Sequence, residues 1–227
     1  MYNSLFDENR QNAMRDYFLN NLGKKGIIRK YSRNEIIELH SDDYFGIVVK
    51  GIVSINVLNS NGNEKMLYVL RPGEIFEEMN YFCGGSKLTV ARVKENAEVS
   101  IIYKNVLEPE LADNPEAYRY FLHSVTRKYR IVMLQMTNSV FNDSIGKIAD
   151  TLLRMASCSI GTGESEKIII DTPFTHQELA NNIGCSRITV TKFLNKFIDE
   201  GIIIYEDKRI VIKNREALKQ YINVIEE

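Results

Sequence analysis

The chain has 227 residues, long for one domain and comfortable for two. Its 44% hydrophobic and 26% charged residues suit a globular protein with real cores, and no apolar run reaches the roughly 20 residues that span a bilayer. A net charge of −1, with eleven Lys/Arg against thirteen Asp/Glu after Phe141, advertises no nucleic-acid partner, although phosphate affinity depends on where the cations sit rather than on their sum.

In chain order, Met1–Arg10 is polar and mixed in charge, without an apolar stretch or a cleavage site, which predicts a cytoplasmic protein. Residues 1–23 read as a helical lead-in, with Leu5, Phe6, Met14, Phe18 and Leu22 on one face. Short β-rich runs follow at Gly26–Tyr31, Glu35–Leu39, Phe45–Val49, Ile52–Leu58, Lys65–Leu70, Leu88–Val93 and Val99–Tyr103. Turn signals at Ser41-Asp42-Asp43, Asn59 to Asn63, Pro72-Gly73 and Gly84-Gly85 separate them. So many short strands imply a sandwich, barrel or roll.

Residues 116–140 contain no Pro or Gly, and their apolar positions have helical spacing. Leu122, Tyr129 and Met136 repeat every seven residues, with Val125 and Val132 between them. Phe121, Ile131, Met133 and Leu134 widen the apolar arc beyond such a seam, so the helix must meet both its own domain and a second surface. A parallel homodimer through Leu122, Val125, Tyr129, Val132 and Met136 is expected; a helix packed only on its own domain is the alternative. Phe141-Asn142-Asp143-Ser144 then interrupts with good N-cap residues and reads as a hinge. Beyond it, Ile148, Leu152 and Met155 share one face of a helix over Ile145–Met155, and 157–166 is a polar loop. The expected division is 1–115, a β-rich domain; 116–142, dimerisation helix and hinge; and 143–227, a C-terminal domain.

The strongest local signal starts at Thr175. Thr175-His176-Gln177-Glu178 fits a capping box, and Leu179, Ala180 and Ile183 form the buried face of a short helix. Gly184 suits a left-handed turn at its end. Ser186 then caps a second helix with Val190, Phe193, Leu194 and Phe197 at core spacing. Helix, glycine turn and helix is the sequence form of a helix-turn-helix. The other face of the second helix carries Arg187, Ile188, Thr189, Thr191, Lys192, Asn195 and Lys196, with no acid until Asp199. A solvated face is one reading of these residues. The missing acids favour contact with base edges and phosphates of double-stranded DNA. Ile202–Tyr205 and Ile210–Ile212 flank Glu206-Asp207-Lys208-Arg209 as a hairpin wing with two cations near its tip. The DNA-contacting set is therefore Thr175, Gln177, Ser186, Arg187, Ile188, Thr189, Thr191, Lys192, Lys196, Lys208 and Arg209.

Cys83, Cys158 and Cys185 make no CxxC pair, and His40, His123 and His176 are scattered, so no metal, cofactor or disulfide framework is expected. Each cysteine is a small buried residue or, alternatively, a redox-sensing thiol. The same scatter argues against a cupin-like enzyme, which needs clustered His and carboxylate ligands. A protein-binding winged helix is the other rival, and it predicts no salt-dependent DNA affinity.

With both halves read, the chain resembles the cyclic-AMP receptor protein/FNR (Crp/Fnr) family of bacterial transcription regulators. Phe45 to Gly51, Asn61-Gly62-Asn63-Glu64 and Arg71-Pro72-Gly73-Glu74 are similar to the family's sensor β-roll; Gly184-Cys185-Ser186-Arg187-x-Thr189-Val190 is the most specific match. The resemblance implies an α+β chain: a double-stranded β-helix like cyclic-nucleotide-binding domains, a long dimerisation helix and a C-terminal winged helix-turn-helix. It implies a homodimer on a palindromic site, with recognition helices in successive major grooves. An effector in the roll would bias the DNA domains by binding one state better than the other. The loop 157–166 matches the place where activating relatives touch RNA polymerase; a solvated linker is the alternative.

The effector pattern departs from the family. Cyclic-nucleotide binders carry a Gly-Glu pair and, some ten residues on, an Arg-Ser pair. Here Glu77 replaces the glycine, Glu78 matches the acid, and Leu88-Thr89 replaces Arg-Ser. A carboxylate facing a phosphate without a cation is electrostatically unfavourable. Val132 and Met133 stand where adenine-binding hydroxyls are placed, so cyclic AMP is disfavoured. No N-terminal cysteine cluster offers an iron–sulfur site, and Glu77 and Met79 replace the Cys and His of carbon-monoxide sensors. A small organic effector, a thiol signal or no effector remains. The candidate pocket comprises Glu77, Glu78, Tyr68, Tyr81, Leu88, Thr89, Tyr129, Val132 and Met133, joined by Phe82; ordinary core packing is the competing account of the aromatics.

On the DNA side, Arg187 matches the family arginine that contacts guanine, worth about 1–3 kcal/mol of discrimination. Ile188 stands where a glutamate is common and would prefer a thymine methyl. Lys192 replaces a second arginine and reads geometry less well. A half-site richer in A·T than the family's usual TGTGA-type sequence is expected.

Overall fold

The computed structural model describes residues 6–38, 44–60, 62–85, 88–157, 168–172 and 174–223. The chain divides into two units, with the division between Ile131 and Val132, inside the long helix.

The first unit opens with α1 (Glu8–Asp16), whose cap Asp7 accepts the Arg10 N–H at 3.1 Å. One wider turn (Tyr17–Asn21) and one tighter turn (Leu22–Lys25) lead into an antiparallel six-stranded sheet. Its strands are β1 (Ile27–Tyr31), β2 (Ile36–Ile37), β3 (Tyr44–Leu58), β4 (Glu64–Leu70), β5 (Ile75–Phe76) and β6 (Val90–Tyr103). β6 lies between β1 and β3, β4 follows β3, β2 joins β6, and β5 joins β3. The runs Phe45–Val49 and Ile52–Leu58 fuse into β3, and Leu88–Val93 and Val99–Tyr103 fuse into β6. Register shifts between Val48 and Val53 take up the change of direction without ending the strand. Gly51 (φ 82°) sits at that corner; a Cβ there would lie 2.2 Å from the Asn96 carbonyl oxygen.

Two cores line the two faces of this sheet. Val48, Val53, Leu70, Phe76, Val93, Val99 and Ile101 fill one; Phe18, Leu22, Phe45, Ile47, Ile75, Ile102, Leu107 and Phe121 fill the other. The neighbours Ile101 and Ile102 serve opposite cores, as the alternation of a strand requires. α2 (Glu78–Cys83) and α3 (Lys104–Asp113) complete this unit, and α3 contains Pro109.

α4 (Ala117–Phe141) is a single helix, as its spacing predicts. Ala117, Phe121, Ser124, Lys128, Ile131, Gln135 and Asn138 are buried along one stripe. Tyr118, Leu122, Val125, Tyr129, Val132, Met136 and Val140 are exposed along another, each step three or four residues. Asp143 ends the interruption by accepting the Gly146 N–H at 2.9 Å, and α5 (Ser144–Ser157) follows.

In the second unit α5 packs with α6 (His176–Ile183), α7 (Arg187–Asp199) and α8 (Arg215–Lys219). A three-stranded sheet runs β7 (Ile168–Ile169), β9 (Arg209–Ile212), β8 (Ile203–Glu206). A polar chain ties the end of α4 to α5 and the C-terminal segment. Asn138 Nδ2 donates to the Lys147 carbonyl (3.2 Å), Asn142 Nδ2 to Asn138 Oδ1 (2.9 Å), and the Asn223 N–H to Asn142 Oδ1 (2.7 Å). Among the described residues, no helix is long and apolar enough to cross a membrane. Cys158 and positions 158–166 of the polar loop lie outside the described residues.

Candidate functional site

The helix-turn-helix is built as its residues dictate. Thr175 accepts the Glu178 N–H at 3.1 Å, and Glu178 Oε2 accepts the Thr175 N–H at 2.8 Å. Gly184 takes φ 78°, ψ 33°, a conformation open to glycine at little cost. Ser186 accepts the Thr189 N–H at 3.0 Å and starts α7. Val190, Leu194 and Phe197 are buried beneath it.

The face left outward begins with Arg187 and with Ile188, which is 82% exposed. Lys192, Asn195 and Lys196 follow on exposed positions. Not every residue of the expected DNA set is equally available. The Thr191 hydroxyl donates to the Arg187 carbonyl at 2.9 Å, and Lys196 lies 3.7 Å from Glu200 and over the Tyr221 ring. Ser186 and Thr189 hydroxyls pair at 2.8 Å, Thr175 is held in its capping box, and Gln177 donates to Asn181 at 2.8 Å. Arg187 and Ile188 are the most open of the expected set; Lys192 is exposed as well, with its Nζ 5.7 Å from the centre of the Phe193 ring. The wing turn is Asp207-Lys208, both at positive φ (48° and 64°), the two-residue geometry that matches hairpin twist. Lys208 stands at the tip and Arg209 opens β9.

His176, absent from the expected set, sits between these parts. Its Nδ1 lies 2.8 Å from Thr191 Oγ1 and its Nε2 lies 3.1 Å from the Tyr205 hydroxyl. Only its place at the first position of a capped helix is visible in sequence.

In the first unit the expected effector residues do not gather around one space. Tyr68 packs on the core that contains Val48 and Phe76, whereas Tyr81 packs on the core of Phe18 and Phe121. Tyr81 meets Phe45 and Phe82 edge-on and donates to Glu108 at 2.8 Å. Leu88 is 75% exposed, and Tyr129, Val132 and Met133 are exposed on α4; Thr89 is half-buried.

Glu78 has a partner that no local pattern announces. Buried Lys128, from α4, pairs with buried Glu78, donates to the Ile75 carbonyl at 2.8 Å and lies 5.6 Å from the Tyr68 ring centre. The cation comes from 50 residues away in the chain and is spent on Glu78 itself. Burial, and then the Glu78 and Glu77 carboxylates, hold the Tyr68 phenol above its ordinary range. Glu77 occupies the glycine-like conformation (φ 68°, ψ 5°) before α2, a strain of about 1 kcal/mol or more for a residue with a side chain.

A second buried carboxylate, Glu74, accepts from Arg15 Nη2 at 2.9 Å and from the Arg71 N–H at 2.8 Å, with Arg127 at 3.6 Å. Burial alone would raise its pKa, but the Arg127, Arg15 and Arg71 guanidiniums outweigh that and hold it below the ordinary value. Among the described residues, no group of three or more His, Cys, Asp or Glu could hold a metal ion.

Two family models match the chain: a cyclic nucleotide-binding domain over residues 28–114 and a Crp-like helix-turn-helix domain over 146–221. Together these are the two domains of Crp/Fnr-family regulators. The chain is 28% identical over 176 residues to the CRP-like cAMP-activated global transcriptional regulator of Mycobacterium tuberculosis, covering 78% of each chain. It is 27% identical to the anaerobic regulatory protein of Bacillus subtilis, covering 76% of this chain and 73% of that one. The solved structure of FixK2 from Bradyrhizobium japonicum superposes with a TM-score of 0.74 at 20% identity, over 88% of this chain and 99% of that one. The Crp/Fnr architecture of β-sheet domain, long helix and winged helix-turn-helix is the observed one.

Proposed function

We propose that this chain is a homodimeric, sequence-specific DNA-binding regulator of transcription acting on a palindromic site and gated by a small organic effector. The carrying observation is the first turn of α7, where Arg187 and Ile188 stand exposed beside Lys192, on a face without acids before Asp199. Arg187 reads guanine from the major groove, Ile188 meets a thymine methyl, and Lys208 and Arg209 meet phosphates from the wing. The exposed stripe Leu122, Val125, Tyr129, Val132, Met136 has the repeat of a dimer seam and supports self-association through α4. Two such subunits place their recognition helices on half-sites about one helical turn apart. RNA polymerase is the expected partner of the DNA-bound dimer.

Cyclic AMP is not the effector in this reading. Leu88-Thr89 brings no cation for a phosphate, and Lys128 already neutralises the acid. That buried pair also favours a second reading, a regulator with no effector. A thiol-responsive regulator is a third reading: Cys83 is exposed rather than buried as expected, and Cys185 is half-exposed, so both can meet an oxidant. Fluorescence-anisotropy titration of a labelled duplex at two salt concentrations tests the reading: affinity falls steeply with salt for a DNA reader. Salt-independent or undetectable binding overturns it.

A further inference from the structure

We propose that His176 is a positioning residue for DNA reading: it joins the recognition helix to the wing, so that base and phosphate contacts are set together, a role that rests on the DNA-binding reading above. The hydrogen-bond directions carry it. The Thr191 hydroxyl hydrogen is committed to the Arg187 carbonyl at 2.9 Å, so Thr191 Oγ1 can only accept from the imidazole, and His176 Nδ1 carries the hydrogen. In that neutral tautomer Nε2 is an acceptor, and Tyr205 donates its hydroxyl hydrogen to it. The chain of bonds runs from the Tyr205 hydroxyl through His176 and Thr191 to the Arg187 carbonyl. Each member has one role, and each hydrogen is used once.

The placement of the ends gives this chain its consequence. Arg187 opens α7 and carries the base-reading guanidinium. Tyr205 lies on β8, whose turn holds Lys208. His176 is the first residue of α6, fixed by the Thr175–Glu178 capping box. An imidazole held by a rigid helix start therefore touches both DNA-facing parts, which are 15 and 29 residues away along the chain. All three side chains are partly exposed, so the bonds contribute little to holding the domain folded. They fix instead the distance between the first turn of α7 and the wing, and hence which phosphate Lys208 meets when Arg187 is seated on its base. A wing free of His176 would sample several positions and hold its phosphate for only part of the time.

The test uses the full chain and a fluorescein-labelled duplex enriched by the wild-type protein from random sequence. Anisotropy titrations at several salt concentrations compare wild type with His176→Ala, Tyr205→Phe, His176→Asn and Arg187→Ala. Tyr205→Phe removes one hydroxyl from a half-exposed ring and should leave the fold intact. His176→Asn keeps a donor near the Nδ1 position but cannot reach Tyr205. We expect His176→Ala to weaken binding at least tenfold and to lower the slope of log affinity against log salt by about two per dimer, as when one cation in each subunit no longer meets its phosphate. Tyr205→Phe and His176→Asn should show the same slope change while still preferring the enriched duplex over a scrambled one. Arg187→Ala should instead lose that preference and keep the slope. A fall in active fraction through misfolding leaves the slope untouched, so wild-type slopes in both His176→Ala and Tyr205→Phe overturn the proposal. Salt-independent binding by the wild type would be a different failure, that of the DNA-binding reading itself.

Discussion

Two sites, one in each unit, handle charge in opposite ways. In the first, Glu78 is closed off by Lys128 and Glu74 is enclosed by Arg15, Arg71 and Arg127. In the second, Arg187 and Lys192 face outward beside apolar Ile188, and the internal hydrogen bonds of His176, Thr191 and Ser186 hold the backbone beneath them. A surface built to meet DNA leaves its charges for the partner to neutralise. A buried pair supplies its own neutralisation, and any anionic effector must first compete with it.

Substitutions can break that contrast. The largest effect is expected from Lys128→Met, which leaves Glu78 buried without its cation and should cost about 3–5 kcal/mol of stability. Urea denaturation of the full chain measures it, and adding Glu78→Leu should recover most of the loss. Full stability in the single variant would mean that the pair is not closed. Arg187→Ala comes next: about 1–3 kcal/mol of site preference should disappear per half-site, with no change in thermal midpoint or in dimer mass by sedimentation. Acid tests the Glu74 cluster. The folded carboxyl titrates below the ordinary 4.5, so as pH falls the unfolded chain takes up its proton first. The stabilisation is complete above that ordinary value and is lost as pH drops through the lower folded one. Glu74→Gln should flatten the acid limb of the stability profile; an unchanged limb would remove Glu74 from the account. The smallest pair sharpens the comparison most. Glu77→Gly and Lys208→Gly each relieve a side chain in the left-handed region and should each stabilise the chain by about 0.5–1 kcal/mol. Only Lys208→Gly should weaken DNA binding.

The second unit is more legible in sequence than the first because its determinants are local. The capping box spans Thr175 to Glu178, and the turn needs only Gly184. The first unit depends on partners far apart in the chain. Lys128 reads as one more cation beside Arg127 and Arg130 until β5 and α2 bring Ile75 and Glu78 beside it. Arg15 and Glu74 are 59 residues apart. β3 and β6 look like pairs of short strands because Lys50-Gly51 and Glu95-Asn96 resemble turns, yet long-range pairing carries the ladder through both. Pro109 hides α3 from a reading of helical pattern, and Tyr81 and Leu88, grouped with Tyr68 by composition, lie on other surfaces. His176 shows the same limit in the second unit, since its partners are fixed only when the wing folds back.

The most direct test of the central claim is selection of the full-length protein against random duplex DNA, followed by sequencing of the enriched sites. The account predicts a palindrome whose half-sites keep a guanine for Arg187 and are richer in A·T where Ile188 and Lys192 read. Recovery of an unaltered TGTGA-type half-site as the best binder, or no enrichment at all, would contradict it.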